Sequence, residues 1–521
     1  MRDYYDDSLF YCLDDGTALL DGPASFSTAR TEVVQLPGSR GDEPTMVYRQ
    51  LTSSAARRLG SVAVLPFVNL SEDASNEYFS DGLSEELLNV LSRITGLRVA
   101  ARTSAFSFKG KQKTISEIGS ILNVSAVVEG SIRFAGKRIR VSVQLGDATN
   151  GFQLWSETYD RTLDDVFAVQ DEIAQCVVEE IREHFLGDTI NEEEAKHIEE
   201  EVADAMKGRD AHPEARRLLL LGRHFLDRTT RDDGLKAIEY FERAVELDPS
   251  YALGWAELSH ALSVGAGKNW LAVDETYMRA RDAAIRAMAE EPGLAEAYAA
   301  LGRIQAAYDL DLNAASESYA KALELAPGST VVADGASILE LRLGNNDRAV
   351  ELSRSVLDRD PLSGAIWHNL GYILHAAGKL EEAAAALRKA IDLSPTRNAS
   401  FAMLSSVLLD QGDETAATTA AGAEPDEFWR NWAFAIIAAR TSNRQRCKES
   451  AAKLEEGYSP GDAFQLAEVF AASGSLDKAF GWLEKALDER DPGITHAKAS
   501  VHLRTLHDDA RWEALTKRLG L

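Results

Sequence analysis

Phosphate chemistry is the first possibility the side chains raise. Gly265-Ala266-Gly267-Lys268-Asn269 has the small residues and the lysine of a loop that cradles phosphate with backbone N–H groups. Such a loop needs a leading glycine, where Leu262 stands, and a Ser or Thr to hold magnesium, where Asn269 stands. Gly110-Lys111 fails in the same way, because Ala105 occupies the upstream position. Metal chemistry fares no better. His502 and His507 are close in sequence but have no third ligand, and Cys12, Cys176 and Cys447 are too far apart for zinc spacing or a disulfide framework. No nucleophile elbow, His-Glu-x-x-His helix or calcium loop is present. Asn69-Leu70-Ser71, Asn123-Val124-Ser125 and Asn398-Ala399-Ser400 match a glycosylation triplet, which matters only on a secretory route. The expectation is a protein that is not an enzyme, with no catalytic, cofactor-binding or metal-binding residues.

What remains is recognition by shape and polar matching. Its candidate residues are His260, Arg303, His368, Tyr372 and His375, which the helical register places along one concave face. Those five need a scaffold of repeated helices, and the sequence supplies one. From about residue 213 a period near 34 residues recurs. Residues 364–397 carry Trp367, Leu370, Gly371 and Leu374 on a first helix, Ala383, Leu387 and Ala390 on a second, and Pro395 after it. Residues 296–329 repeat the pattern with Tyr298, Leu301, Gly302, Ala315, Tyr319, Ala322 and Pro327. Ala237, Phe241 and Ala244 precede Pro249, and further units end at Pro292 and Pro361. Residues 398–425 and 461–494 are looser versions, the latter marked by Ala479, Leu483, Ala486 and Pro492. This pattern resembles the tetratricopeptide repeat, in seven or eight units. One unit cannot bury its apolar face alone, so the units must stack into a superhelix with an extended concave groove. The polar stretch 505–512 reads as a helix closing the stack. One kind of tetratricopeptide groove grips a peptide carboxylate with Lys and Asn, and the equivalent positions here lack that set.

Upstream, the pattern changes period. Ser61–Phe67 is a β-branched run ended near Pro66, and Leu83, Leu87, Leu88, Leu91 and Ile94 recur at helical spacing. A strand at 97–101, a helix at 115–122, two strands at 126–134 and 138–145 facing each other, a strand at 153–159 and a helix over 163–185 follow. The strict alternation of Arg138–Leu145 marks a half-buried antiparallel strand. The fold class is therefore α+β, predominantly α: an α/β domain over 61–187, an acidic helical linker over 188–212, and a helical solenoid with a capping helix over 213–521. Residues 1–60 form an N-terminal extension, with an Asp-Gly turn between two short strands.

The chain of 521 residues has a formal net charge of −27, which argues against a nucleic-acid partner and against an anionic membrane surface. No apolar stretch is long enough to span a bilayer, and the acidic start lacks the features of a secretory signal. The expected partner is a protein or peptide and the expected compartment the cytoplasm, with a periplasmic or envelope location as the alternative.

Leu65-Pro66-Phe67, Tyr78-Phe79-Ser80-Asp81-Gly82, Val128-Glu129-Gly130-Ser131, Trp155 and Tyr159-Asp160-Arg161 carry a more specific likeness. Residues 61–186 resemble the α/β domain related to the amino-terminal domain of TolB and to the FlgO-like family. In bacteria that domain is often followed by tetratricopeptide repeats, in adenylate-cyclase-associated and CadC-like proteins. It is commonly preceded by a class III cyclase domain or a winged helix. The residues before Ser61 are too few for a cyclase domain and lack its metal-binding aspartate pair, although Pro44–Leu51 is similar to the last strand of one. The resemblance implies a regulatory or scaffolding protein; by residue type alone, Gly82 and Gly130 suit tight backbone positions and Trp155 suits a core. The alternative is the regulatory part of a cyclase system whose catalytic domain is missing or on another chain.

Overall fold

The structure, a computed structural model, describes residues 60–71, 77–94, 96–135, 138–162, 166–186, 212–226, 230–268, 270–441, 444–459 and 461–520. The N-terminal extension up to residue 59, the acidic segment 188–211 and Asn269 lie outside the described residues.

Val62, Ala63 and Val64 are fully buried, and a strand with no polar face must lie inside a sheet covered on both sides. That strand, β1 (Gly60–Val64), pairs in parallel with β3 (Leu97–Val99) on one side and with β4 (Ala126–Ala135) on the other. A two-residue strand, β2 (Val68–Asn69), also joins β4. Beyond β4 the sheet turns antiparallel through β5 (Arg138–Asp147) and β6 (Gln153–Thr162), giving the order β3-β1-β4-β5-β6. Val62 and Val64 face α1 (Glu77–Ser92) and α4 (Val166–Leu186) in one apolar cluster. Ala63 and Leu65 face α3 (Ile115–Leu122) and Phe108 in another. Thr114 starts α3 through a reciprocal capping box with Glu117, and Asn123 ends it in the left-handed conformation at φ 53°. The sequence reading missed β2 and the short helix α2 (Arg102–Phe106), both too brief to show a period.

Gly130 keeps β4 close to its neighbours. A Cβ there would sit 2.7 Å from the Ser142 carbonyl oxygen and 3.0 Å from the Phe67 ring. Gly82 does the same on α1, where a Cβ would meet Leu220 of α5 (Pro213–Leu226) at 2.6 Å. Trp155 is only half-buried, while Tyr159 on the same strand takes the core position.

Helices then pair antiparallel. α5 packs on α6 (Arg231–Leu247), α7 (Ala252–Gly267) on α8 (Val273–Glu290), α9 (Ala295–Ile304) on α10 (Leu312–Leu325), and α11 (Thr330–Leu343) on α12 (Asn346–Leu357). α13 (Gly364–Ala376) packs on α14 (Leu380–Leu393), α15 (Ser400–Asp410) on α16 (Glu414–Ala423), α17 (Glu427–Arg440) on α18 (Arg444–Glu456), and α19 (Ala463–Ala472) on α20 (Leu476–Asp488). Eight pairs are thus present among the described residues. On the second helices Ala237 and Ala244, Ala315 and Ala322, Ala383 and Ala390, and Ala479 and Ala486 are all fully buried, seven positions apart, where two helices cross too closely for more than a methyl. On the first helices Gly302 and Gly371 make room for Tyr319 and Leu387. The prolines after the second helices are latched: Trp255 and Trp367 donate from Nε1 to the carbonyls of Pro249 and Pro361, each at 2.9 Å.

The chain does not stop at α20. Two 3₁₀ turns, Pro492–His496 and Val501–Leu506, lead to α21 (Ala510–Arg518). The described residues form one compact unit, in which a single apolar cluster runs from Val62 through α1, α4 and α5 to Ile304.

Candidate functional site

The concave groove is built by the first helix of each pair, and it already holds a peptide. Residues 490–506 run back along it. Arg490 lies over the Tyr308 ring, 4.2 Å from its centroid, and 3.4 Å from Asp274. His496 meets Tyr372 ring to ring at 5.7 Å and accepts from Arg342 at 3.5 Å. His502 faces His375 and Trp432, and its Nε2 is 3.0 Å from Ser406 Oγ. Ser500 Oγ donates to Glu468 at 2.7 Å, and Arg504 to the Ala376 carbonyl at 3.0 Å. Every one of these partners except Asp274 and Tyr308 sits on a first helix. The expected closing helix is therefore preceded by a strap that returns across the stack. Apolar residues on that strap give the reason: Ile494, Ala497, Leu503 and Leu506 are all buried in the core of the C-terminal pairs.

This changes the surroundings of the predicted groove residues. They were expected to line an open face, and none is exposed. His375 is 3% exposed, and its Nε2 is 2.7 Å from Asp410, which also meets Arg440 at 2.9 Å. Burial would raise the Asp410 pKa, but the bonds and charges of His375 and Arg440 outweigh it and bring it down to about 2. Tyr372 is held by His496, and burial pushes its phenol up. His368 Nδ1 is 3.0 Å from Ser400 Oγ. His260 stands on α7 within the electrostatic reach of Arg303 and Arg223. His260 and His368 keep some surface yet are enclosed by protein, and burial takes each down to about 3, so they are neutral at physiological pH. His368, Tyr372 and His375 share α13, whereas His260 and Arg303 stand on α7 and α9.

Arg303 lines a cavity of about 390 Å³ with Thr103, Asp334, Arg342 and Asp360. Its roof comes from the α/β part. Ala101 N donates to the Arg359 carbonyl at 2.7 Å, Ser104 Oγ donates to Asp360 at 2.6 Å, and Leu362 N donates to Ser104 Oγ at 2.9 Å. Asp334 accepts from Asn369 at 3.2 Å, and burial raises its pKa against the pull of Asn369, Arg303 and Arg397. Sequence reasoning missed Arg342 and Asp334 because little besides its proline marks the unit ending at Pro361. A second, larger crevice of about 750 Å³ opens past the carboxyl end of β1 and against the middle of β4, beside Lys109, Lys111 and Lys113. Lys109 there is bound to Asp81 at 2.6 Å and Glu77 at 2.7 Å.

Among the described residues no three His, Cys, Asp or Glu side chains converge as a metal set, and no helix is long and apolar enough to cross a membrane.

A tetratricopeptide-repeat family model matches residues 336–398, and a second matches residues 235–251. A relative named putative adenylate cyclase 3, from Rhizobium meliloti (strain 1021), is 39% identical over 199 residues, covering 38% of this chain and 32% of that protein. A small glutamine-rich tetratricopeptide repeat-containing protein 2 of Mycosarcoma maydis is 31% identical over 86 residues, covering 16% of this chain and 24% of its own. The chain thus spans a third or less of these curated relatives. Among solved structures, pilF of Pseudomonas aeruginosa is 16% identical with a TM-score of 0.32, covering 40% of this chain and 93% of that one. A thermophilic repeat protein of Thermus thermophilus is 20% identical, also at 0.32, covering 37% and 99%. The chain carries tetratricopeptide repeats, stacked as a solenoid behind a small mixed sheet.

Proposed function

We propose that the protein is a non-catalytic scaffold or regulatory protein that holds a protein or peptide partner on its repeats, the α/β part acting as a docking or sensory module of the TolB amino-terminal and FlgO-like kind. The observation that carries this reading is the strap itself. A groove that accepts residues 490–506 through histidine, tyrosine and buried carboxylate contacts has the shape and chemistry to accept a partner segment of similar character. A partner would then displace the strap, engaging His368, Tyr372 and His375, or use the outer helices. Immobilised full-length protein, challenged with soluble lysate, tests the reading. A stoichiometric partner whose retention falls when Tyr372 and His368 are changed to Ala supports the groove. Absence of any retained protein, from the wild type and from a strap-loosened Leu503→Asp form alike, overturns the scaffold.

A second reading makes the chain the regulatory part of a class III cyclase system, and the relative named putative adenylate cyclase 3 favours it. Purified protein incubated with ATP and a divalent metal separates the two. Sustained cyclic AMP production would replace the non-catalytic reading. Cell fractionation checks the proposed cytoplasmic location against the envelope.

A further inference from the structure

Arg303 and Arg342 stand on neighbouring first helices and line the same 390 Å³ cavity. The Nε atoms of both are buried and have no hydrogen-bond partner among the described residues. Neither guanidinium makes an ion pair among those residues, and the one polar contact of Arg342 is its Nη2 at 3.5 Å from His496 Nε2. Since Arg cannot accept, His496 supplies a lone pair there and no charge. The carboxyls within the cavity are otherwise engaged: Asp360 accepts from Ser104, and Asp334 accepts from Asn369. Asp334 feels the charge of Arg303 but makes no ion pair with it, and two largely enclosed guanidiniums with no direct anionic partner among the described residues are costly; such sites persist where something else supplies the anion. Elsewhere in this protein buried arginine is treated differently. Arg223 is surrounded by Glu85, Glu86 and Glu257 at 3.3, 2.9 and 2.6 Å.

We propose that this cavity binds a small molecule carrying one anionic oxygen group, a carboxylate or a phosphate, held by Arg303 and Arg342. The fork of N–H donors on each guanidinium matches the paired oxygens of such a group. The volume suits a small ligand. A macromolecular segment is disfavoured because the α2 latch at Ser104 and Asp360 borders one side and the strap at His496 another. Asp334 and Asp360 select against polyanions, and Tyr319, Ile338 and Leu339 offer an apolar wall to the rest of the molecule. The site joins three parts of the chain, because Thr103 belongs to the α/β part, the arginines to the solenoid, and His496 to the strap.

The test uses the full chain with inorganic phosphate and acetate as probes, against chloride at constant ionic strength. Thermal melting and isothermal titration are followed for the wild type, for the Arg303→Met/Arg342→Met double variant, and for Ala307→Leu, which fills the cavity and leaves both arginines. The expected result is a saturable rise of a few degrees in the wild type that both variants lose, with affinity falling at least tenfold. Whichever probe gives the larger response identifies the anionic group as phosphate or carboxylate. If wild type and variants respond equally to both probes, the cavity holds only water and the proposal fails. Should the double variant not fold, Ala307→Leu decides alone: a retained response places the anion elsewhere and overturns the site.

Discussion

The imidazole of His502 stands edge-on to the indole of Trp432, ring centroids 5.3 Å apart and planes at 77°. One residue belongs to the strap and the other to a first helix, so the contact ties the strap to the wall of the groove. The same indole donates to Glu468 at 3.2 Å, whose second oxygen accepts from Ser500. A strap fixed by interlocking rings and hydrogen bonds packs as part of the core while it is seated, so a partner that displaces it must replace these contacts in kind.

Leu503 is fully buried among the C-terminal pairs. Leu503→Ala removes that side chain and leaves a cavity, at an expected cost of about 2–5 kcal/mol. Urea denaturation followed by tryptophan fluorescence measures it. A cost below about 1 kcal/mol would show that the strap does not pack in the groove.

Stability should fall on acidification from neutral pH. Burial lowers His260, His368, His496 and His502 to about 3, below their unfolded value, so their stabilisation is present above pH 6.5 and lost as pH falls toward 3. Burial raises Glu468 to about 7 and Asp491 to about 6, which gives stability at low pH that is lost as pH rises through those values. His507 is lowered as well, and burial also raises Asp334, Asp360 and Asp462, so five histidines oppose five carboxyls. In the unfolded chain the histidines begin to charge at about pH 6.5 and the carboxyls take up protons only at about pH 4, so the first steps of acidification below neutral pH are set by the histidines, and unfolding in that range takes up protons on balance. The expected loss is about 1–3 kcal/mol per pH unit. Denaturation midpoints at about pH 8, 6.5 and 5 check the sign. A midpoint climbing steadily on acidification would contradict neutral buried histidines.

Most of the fold was legible because it rests on local periods. Leu83 to Ile94 announces α1, Arg138 to Leu145 announces β5, and Trp367, Gly371 and Ala383 announce a helix pair with its crossing points. The strap was not legible in this way. Its segment, Ile494 to Leu506, follows neither a helical nor a strand period, because 3₁₀ turns too short to repeat carry it. The candidate groove residues rest on register, which tells which way a side chain points. Register gives no sign of what returns to cover it from far along the chain, as His496 covers Tyr372. Arg342 escaped notice for a related reason, since what distinguishes it from other helix arginines is a buried Nε with no partner among the described residues.

Arg223 joins the two parts of the chain, with Glu85 and Glu86 on α1 and Glu257 on α7 around it. Burial would lower its pKa, but the three carboxylates raise it well above the ordinary value, so it stays charged. Glu85 keeps its bond to Arg102 at 2.9 Å, but Arg223→Met removes the cation that Glu86 and Glu257 share and should cost about 3–5 kcal/mol. Changing Arg223 to Met together with Glu86→Gln and Glu257→Gln should recover much of that loss. Thermal unfolding of the two forms separates an unpaired charge from a simple loss of packing.

The glycines offer a sharper contrast, because the same substitution should have opposite signs at two sites. At Gly130 a methyl would meet the Ser142 carbonyl oxygen at 2.7 Å, a backbone atom that moves only if β4 and β5 separate. Phe67 closes the other side at 3.0 Å, so Gly130→Ala should destabilise by about 1–3 kcal/mol. Gly481 lies inside α20, where nothing stands within 4 Å of a new Cβ. There the methyl reduces the freedom of the unfolded chain and favours helix, so Gly481→Ala should stabilise by about 0.5–1 kcal/mol. Paired urea titrations of the two variants give the comparison. Equal shifts in the same direction would mean that close strand approach is not what fixes Gly130 in place.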